Sequence, residues 1–322
     1  MDIPLDQIAN SNKHEISSGT KNEVLKLLKP RNNYELIMKD FHNLFNLNNS
    51  DIPRKINTLL GIKFIDYFTL EERLNTVGYQ GINFYEFVEK IDYYKTKNYV
   101  NNIYNFHKNG RNNKIQIYMK IFQLYFGSIS VFKPLIAMNI YYKFKPSCIL
   151  DFTMGWGGRM LAACKMNIDY IGIDQNTNLI KPYEEMIKII NNYSSTKINL
   201  IFKDCLEVDY SLLDYDMVFT SPPYYNKEVY SNQKVMTKDQ WNEFYKSIID
   251  RTFKNLKLGG YYCLNVPSEI YENVIISLLG VYHERIPLNI HKRRSSAADA
   301  KGVKNNNYNE FIYVWKKVLF IS

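Results

Sequence analysis

From Ser147 onward, short runs rich in β-branched and aromatic residues alternate with longer amphipathic stretches, and nothing else in the sequence restricts the fold as strongly. Neighbouring parallel strands cannot be joined by a tight turn and need a crossover, usually a helix. This spacing therefore predicts a mainly parallel sheet with crossover helices. Seven strands are expected, at 148–151, 170–174, 198–202, 216–220, 260–266, 282–288 and 311–315. Helices fit between them at 158–166, 179–192, 238–256 and 268–279.

Upstream, from Lys21 to about Phe126, apolar residues recur at helical spacing, as in Val24, Leu27 and Leu28, or Ile117, Ile121, Leu124 and Tyr125. Turn-rich pieces at 46–53 and 108–113 separate such blocks, and a small sheet element is expected around 81–85. The chain thus reads as a mostly helical N-terminal domain, residues 1–127, followed by an α/β domain, residues 128–322. The 46% hydrophobic content suffices for a full core.

Lysine and arginine number 41 against 32 acids, a formal charge of +9 that favours a phosphate-bearing partner. Cys148, Cys164, Cys205 and Cys263 form neither a CxxC pair nor a cluster with metal-ligand spacing, so buried thiols in a reducing compartment are expected and no metal. No apolar run follows a basic start, and none reaches the ~18 residues that suggest a membrane span. The expected location is inside the cell, in solution.

Residues 149–159, Ile-Leu-Asp-Phe-Thr-Met-Gly-Trp-Gly-Gly-Arg, read as a strand, a glycine-rich turn and a helix start. Glycines let the backbone approach a ligand, and the helix terminus offers unpaired N–H groups. Asp151, ending the first strand, suits a cationic ligand; Asp174, ending the second, is placed to accept both hydroxyls of a ribose. Together they point to a nucleoside-bearing cofactor, with dinucleotide and S-adenosylmethionine both open at this stage. Asp204, after the third strand, could hold an adenine amino group or simply cap a helix.

The fourth strand ends in Thr220-Ser221-Pro222-Pro223-Tyr224-Tyr225. Two consecutive prolines fix φ twice and remove two donors, giving either a rigid surface turn or a rigid acceptor-rich site. Such a site suits an amine on a planar base. Ser221 Oγ and the Pro222 carbonyl accept its hydrogens, and Tyr224 acts through its ring by stacking.

Residues 151–158 resemble motif I, and 220–224 motif IV, of the S-adenosyl-L-methionine-dependent amino methyltransferases that modify adenine N6 or cytosine N4 in DNA. Phe132-Lys133-Pro134 resembles the upstream motif X, which closes over the methionine part of the cofactor. Gly155-Trp156-Gly157-Gly158-Arg159, followed by Thr-Ser-Pro-Pro-Tyr and Glu228-Val229-Tyr230, is similar to predicted DNA methylases of phages and large viruses, some of which serve restriction-modification. The resemblance covers about 127–316. It implies an α/β fold with a seven-stranded Rossmann-like methyltransferase sheet, and S-adenosyl-L-methionine as cofactor. It also implies cofactor contacts from Phe132, Pro134, Asp151, Phe152, Thr153, Gly155, Gly157, Asp174, Gln175, Asp204, Cys205 and Thr220, and catalysis by Ser221, Pro222, Pro223 and Tyr224. The implied partner is DNA, with RNA as the alternative substrate and a catalytically silent nucleic-acid-binding subunit as the rival from another class.

Two departures from the family pattern matter. Thr153-Met154 replaces a proline and a small residue, and motif IV begins with Ser221 rather than Asp or Asn. Serine there is commoner for cytosine N4, which is favoured over adenine N6, and it disfavours the protein-glutamine methyltransferases that share Pro-Pro-Tyr. No Pro-Cys motif is present, which excludes cytosine-C5 chemistry.

Two segments are expected to meet nucleic acid. In the loop after motif IV, Tyr225, Lys227 and Tyr230 mix aromatic and basic groups. Between the last two strands, Lys292, Arg293 and Arg294 form either a phosphate clamp or a solvated charged loop. No long insertion follows motif IV, so target recognition falls to the N-terminal helices.

Overall fold

In the computed structural model the described residues are 17–28, 34–56, 58–78, 80–110, 113–127, 130–225, 228–229, 235–288 and 310–318. The N-terminal helices are α1 (Ser18–Leu28), α2 (Tyr34–Phe45), α3 (Ile52–Lys55), α4 (Ile62–Leu74), α5 (Phe84–Glu89), α6 (Ile91–Lys95), α7 (Asn98–His107) and α8 (Lys114–Tyr125). A short strand, β1 (Val77–Gly78), follows α4. The sheet element expected at 81–85 is therefore displaced, because Asn83 starts a helix. Glu86 N–H donates to Asn83 Oδ1 at 2.9 Å, and Asn83 N–H donates to Glu86 Oε2 at 3.0 Å, a reciprocal cap that satisfies two otherwise unpaired donors.

After α9 (Pro134–Phe144) come β2 (Cys148–Asp151), α10 (Gly158–Lys165), β3 (Asp169–Ile173), α11 (Ile180–Ile190), β4 (Ile198–Ile201), β5 (Met217–Thr220), β6 (Glu228–Val229) and α12 (Lys238–Asn255). The chain continues through β7 (Tyr261–Pro267), a helix α13 at 268–279 whose Tyr271–Ile275 stretch is π-helical, β8 (Glu284–Pro287) and β9 (Glu310–Lys316). Seven strands form one sheet in the order β4-β3-β2-β5-β7-β9-β8, with β9 antiparallel to both its neighbours and the β4-to-β7 pairings parallel. This is the expected α/β, Rossmann-like sheet, and all seven expected strands are in it. Their ends shift by only one or two residues where ladder hydrogen bonds stop.

Successive strand residues point to opposite faces, and here both faces are buried. Ile149, Met217, Phe219, Ile312 and Val314 face one core; Leu150, Val218, Tyr262, Tyr313 and Trp315 face the other. The first core also takes in Ile37, Phe41 and Leu44 of α2 and Phe64 and Ile65 of α4. A third core holds α1 and α5 to α8 together around Phe84, Phe87 and Phe122, and receives Leu70 and Leu74 from the far end of α4. Helix α4 thus belongs to two cores, and the cores do not divide at residue 127. Among the described residues, no helix is long and apolar enough to cross a membrane.

Candidate active site

The path from β2 leads to β3 and β4 on one side, while that from β5 leads to β7 on the other. Where an α/β sheet reverses in this way, a crevice opens beyond the carboxyl ends of the two central strands. The glycine-rich turn leaves β2 and the Ser-Pro-Pro-Tyr turn leaves β5, so both motifs enter the same crevice. They touch there: the Thr153 and Thr220 hydroxyl oxygens lie 2.6 Å apart.

Close packing holds the first turn. A Cβ on Gly158 would stand 2.0 Å from the Phe132 carbonyl oxygen, so only glycine admits the Phe132-Lys133-Pro134 segment at this distance. Pro134 occupies the first turn of α9 and is buried, and the Arg159 guanidinium lies 5.1 Å from the centre of the Phe132 ring. Tyr183 of α11 donates its hydroxyl to the Gly155 carbonyl at 2.9 Å.

Asp151 departs from the expectation that it faces a cationic ligand. Its side chain is 0% exposed, and both of its oxygens are engaged from within. Arg159 donates from Nε to Oδ2 at 2.6 Å and from Nη2 to Oδ1 at 3.1 Å, and the Tyr170 hydroxyl donates to Oδ2 at 2.6 Å. Burial, reinforced by the Asp151 charge, holds the Tyr170 hydroxyl well above its ordinary pKa, so it remains a donor. Arg159 also donates to the Thr153 carbonyl at 2.5 Å, which ties the turn to the pair. The cation expected from a ligand is supplied by the protein, from the first turn of α10.

Asp174 is bound by two backbone N–H groups at the end of β3. One oxygen accepts from Gly155 N–H at 3.0 Å and the other from Asn176 N–H at 2.9 Å, which clamps the half-buried carboxylate across the two strand ends. Burial pushes its carboxyl up to about 6, and the two N–H groups only partly offset this. Since the folded pKa is raised, Asp174 takes up a proton as pH falls through about 6 and loses the charge that hydroxyl donors prefer. We expect Asp174→Ala to weaken cofactor binding by about 1.5–3 kcal/mol. In the unmodified protein, calorimetry should show cofactor affinity falling by about tenfold per unit below the Asp174 pKa. Flat affinity from pH 7 to 5 would remove the diol-binding role.

The other expected cofactor residues differ in position. Gln175 is exposed, whereas the side chains of Phe152 and Cys205 are packed in a core and leave only their main chains for contact. Asp204 is exposed, and its Oδ1 accepts from Leu206 N–H at 2.9 Å, the capping role held open beside adenine binding. One contributor escaped the sequence reading altogether. Glu72, at the end of α4, accepts on Oε1 from the amides of Asn176 at 2.9 Å and Asn178 at 3.2 Å, so the helical region braces the Asp174 loop.

At the second turn, Ser221 Oγ lies 3.1 Å from Asn265 Oδ1 and 3.2 Å from the Tyr224 hydroxyl. The Tyr224 hydroxyl also lies 3.1 Å from the Asn265 carbonyl and donates to Glu310 Oε1 at 2.5 Å. Asn265 donates from its amide nitrogen to the Phe311 carbonyl at 3.2 Å, which turns Oδ1 toward Ser221. Sheet register explains the assembly. Thr220 pairs with Leu264, which sets Asn265 beside Ser221, and Pro267 pairs with Glu310, which brings β9 to the same end. Neither Asn265 nor Glu310 carries a motif, so no local signal could have found them.

Pro222 is buried, and the Tyr245 hydroxyl donates to the Pro223 carbonyl, so the double-proline turn is held from α12. Tyr225 is half-buried at φ 54°, with its hydroxyl toward Asn242 Oδ1 at 3.4 Å and Lys238 Nζ 5.4 Å from its ring centre. Lys227, Tyr230, Lys292, Arg293 and Arg294 lie outside the described residues.

No protein-family model matches the chain, and no curated protein does. Among solved structures, it is similar to NSun6 from Pyrococcus horikoshii at 16% identity and a TM-score of 0.41, over 57% of this chain and 52% of that one. It is similar to TrmN from Thermus thermophilus at 14% identity and a TM-score of 0.38, over 57% and 49%. It is also similar to a tRNA methyltransferase of M. jannaschii at 16% identity and a TM-score of 0.39, over 60% and 54%. The chain spans about half the length of each of these three.

Proposed function

We propose that the protein transfers a methyl group from S-adenosyl-L-methionine to the exocyclic amino group of a base in DNA, with cytosine N4 ahead of adenine N6. The observation that carries this reading is the meeting of the two turns at one switch point, with the Thr153 and Thr220 hydroxyls 2.6 Å apart. A group bound along the first turn then lies next to a group held by the second.

The crevice fits the cofactor. Asp174 offers a clamped carboxylate to a ribose diol, and the glycine turn leaves backbone close to a ligand. The Asp151 charge is already matched by Arg159, so the methionine ammonium is left to other acceptors. When bound, S-adenosyl-L-methionine supplies an electrophilic methyl group on a sulfonium. The chain's own part is to orient a weakly nucleophilic amine. Ser221 accepts one of its hydrogens, the rigid proline pair fixes the turn, and Tyr224 presents its ring to a base lifted from the stack.

For nucleic acid, we propose the outer face of α6 and α7 as a docking surface. Lys97 Nζ lies 4.8 Å from the Tyr93 ring centre, Lys90 and Lys108 are exposed on the same stretch of chain as Tyr93, Tyr99 and Phe106, and Phe106 is 80% exposed. Cations beside exposed rings suit phosphates and unstacked bases. The surface connects to the catalytic loop: Tyr94 packs on Phe126 at 5.0 Å, Phe126 abuts Gly78, and Gly78 pairs with Glu228 in the β1–β6 ladder. The 227–230 and 292–294 segments are proposed to add Lys227, Tyr230, Lys292, Arg293 and Arg294 to the same partner. Replacing Lys90, Lys97 and Lys108 with Ala should flatten the salt dependence of DNA binding by up to about 3 in slope, with cofactor affinity unchanged. An unaltered slope would make this face merely solvated.

Mass spectrometry of nucleosides from matched DNA and RNA, incubated with the protein and labelled cofactor, tests the reaction. N4-methylcytosine or N6-methyladenine in DNA is the expected product. Label found only in RNA overturns the choice of DNA, and label in neither overturns the base-amine reading.

A further inference from the structure

We propose that Ser221, Tyr224 and Glu310 form a proton relay that carries the surplus proton of the methylated amine out to the Glu310 carboxylate, a role that rests on the base-amine reading above. In this relay the Tyr224 hydroxyl matters as much as its ring, contrary to what the sequence alone suggests.

Proton balance requires such an exit. As the amine nitrogen's lone pair forms its bond to the methyl carbon, the electron pair of the broken carbon–sulfur bond stays with sulfur. Sulfur becomes a neutral thioether and nitrogen a cation, and the nitrogen then loses one of its N–H protons. At the head of the turn stands Ser221, which is neutral. Serine accepts a proton only by passing on its own.

The geometry supplies the next acceptor. Ser221 Oγ lies 3.2 Å from the Tyr224 hydroxyl oxygen, and Tyr224 donates to Glu310 Oε1 at 2.5 Å. A tyrosine has a single hydroxyl hydrogen, and of the Asn265 carbonyl, Asn265 Oδ1 and Glu310 Oε1 the carboxylate is the strongest and nearest acceptor. The Tyr224 oxygen is thereby left with lone pairs toward Ser221. When the amine proton moves to Ser221 Oγ, the serine proton moves to the Tyr224 oxygen and the tyrosine proton moves to Glu310. One N–H bond is broken, one carboxyl O–H is formed, and both hydroxyls end as they began. Asn265 cannot relay protons, but it fixes the spacing. Its Oδ1 accepts from the Ser221 hydroxyl at 3.1 Å and stands 3.2 Å from the Tyr224 oxygen, and its buried amide is anchored on β9, so the serine hydroxyl turns from Asn265 to the Tyr224 oxygen as the amine proton arrives.

Glu310→Gln keeps an oxygen for Tyr224 and removes the ability to take up a proton. With saturating cofactor and an oligonucleotide substrate, single-turnover methyl transfer by Glu310→Gln and by Tyr224→Phe should each fall at least tenfold. Cofactor and DNA dissociation constants should stay within twofold. The double variant should be no slower than the slower single one, because both interrupt one path. Formate should restore part of the rate to Glu310→Ala, and chloride should not. Independently of turnover, the ζ-carbon NMR signal of Tyr224, assigned through Tyr224→Phe, should shift in Glu310→Gln. A wild-type rate in Glu310→Gln, or an unmoved Tyr224 signal, overturns the relay alone. A wild-type protein that methylates no base amine, with the Tyr224 shift present, overturns the base-amine reading and the relay's purpose with it.

Discussion

Asp151→Ala is expected to destabilise the protein by about 3–5 kcal/mol, the usual penalty for removing one partner of a buried ion pair. The Arg159 side chain is 4% exposed and has no water to turn to once its partner is gone. Tyr170 would also lose the acceptor of its 2.6 Å hydrogen bond. Desolvating two charges offsets much of their attraction, so the pair need not stabilise the fold in net terms. Hence Asp151→Leu, Arg159→Met and Tyr170→Phe combined should recover most of the loss. Urea unfolding at pH 7 measures both. A single-variant loss under about 1 kcal/mol would mean that the guanidinium finds another acceptor. The comparison also separates two acids that look alike in sequence: Asp151 is expected to govern stability, and Asp174 is proposed to govern cofactor affinity.

Ser221→Ala should lower the single-turnover rate by about 10–100-fold, the equivalent of one hydrogen bond of ~1.5–3 kcal/mol made to a group that gains charge in the transition state. Cofactor and DNA affinities should hardly change, since a neutral amine in the ground state gains little from this acceptor. Tyr224→Ala should instead also weaken binding of the flipped base, because it removes a stacking surface worth about 1–3 kcal/mol. Rapid-quench assays with a prebound substrate separate the two effects. If both variants transfer methyl at the wild-type rate, the double-proline turn is structural and the chemistry lies elsewhere.

What is legible in the sequence is where the turns and strand ends fall, because that is set by neighbours along the chain. The glycine turn, the double proline and the acids at strand ends are each read within one strand–turn–helix unit. Helical spacing likewise marks α1 and α8, while at 81–85, which reads as extended, the reciprocal cap of Asn83 and Glu86 starts a helix.

By itself the sequence determined the α/β class, the seven strands and the two turns that meet at the switch point, because hydrophobic period and backbone freedom act locally. Tertiary structure decided which charges are available. Asp151 reads as a ligand for a cation until Arg159, eight residues on, is seen to neutralise it. Glu310 carries no local signal, and strand register sets it against Tyr224, 86 residues away; Glu72 carries none either, and packing brings it to Asn176, 104 residues away. A carboxylate's function depends on what lies within about 4 Å of it. For these three, those neighbours come from packing and pairing that no local pattern records.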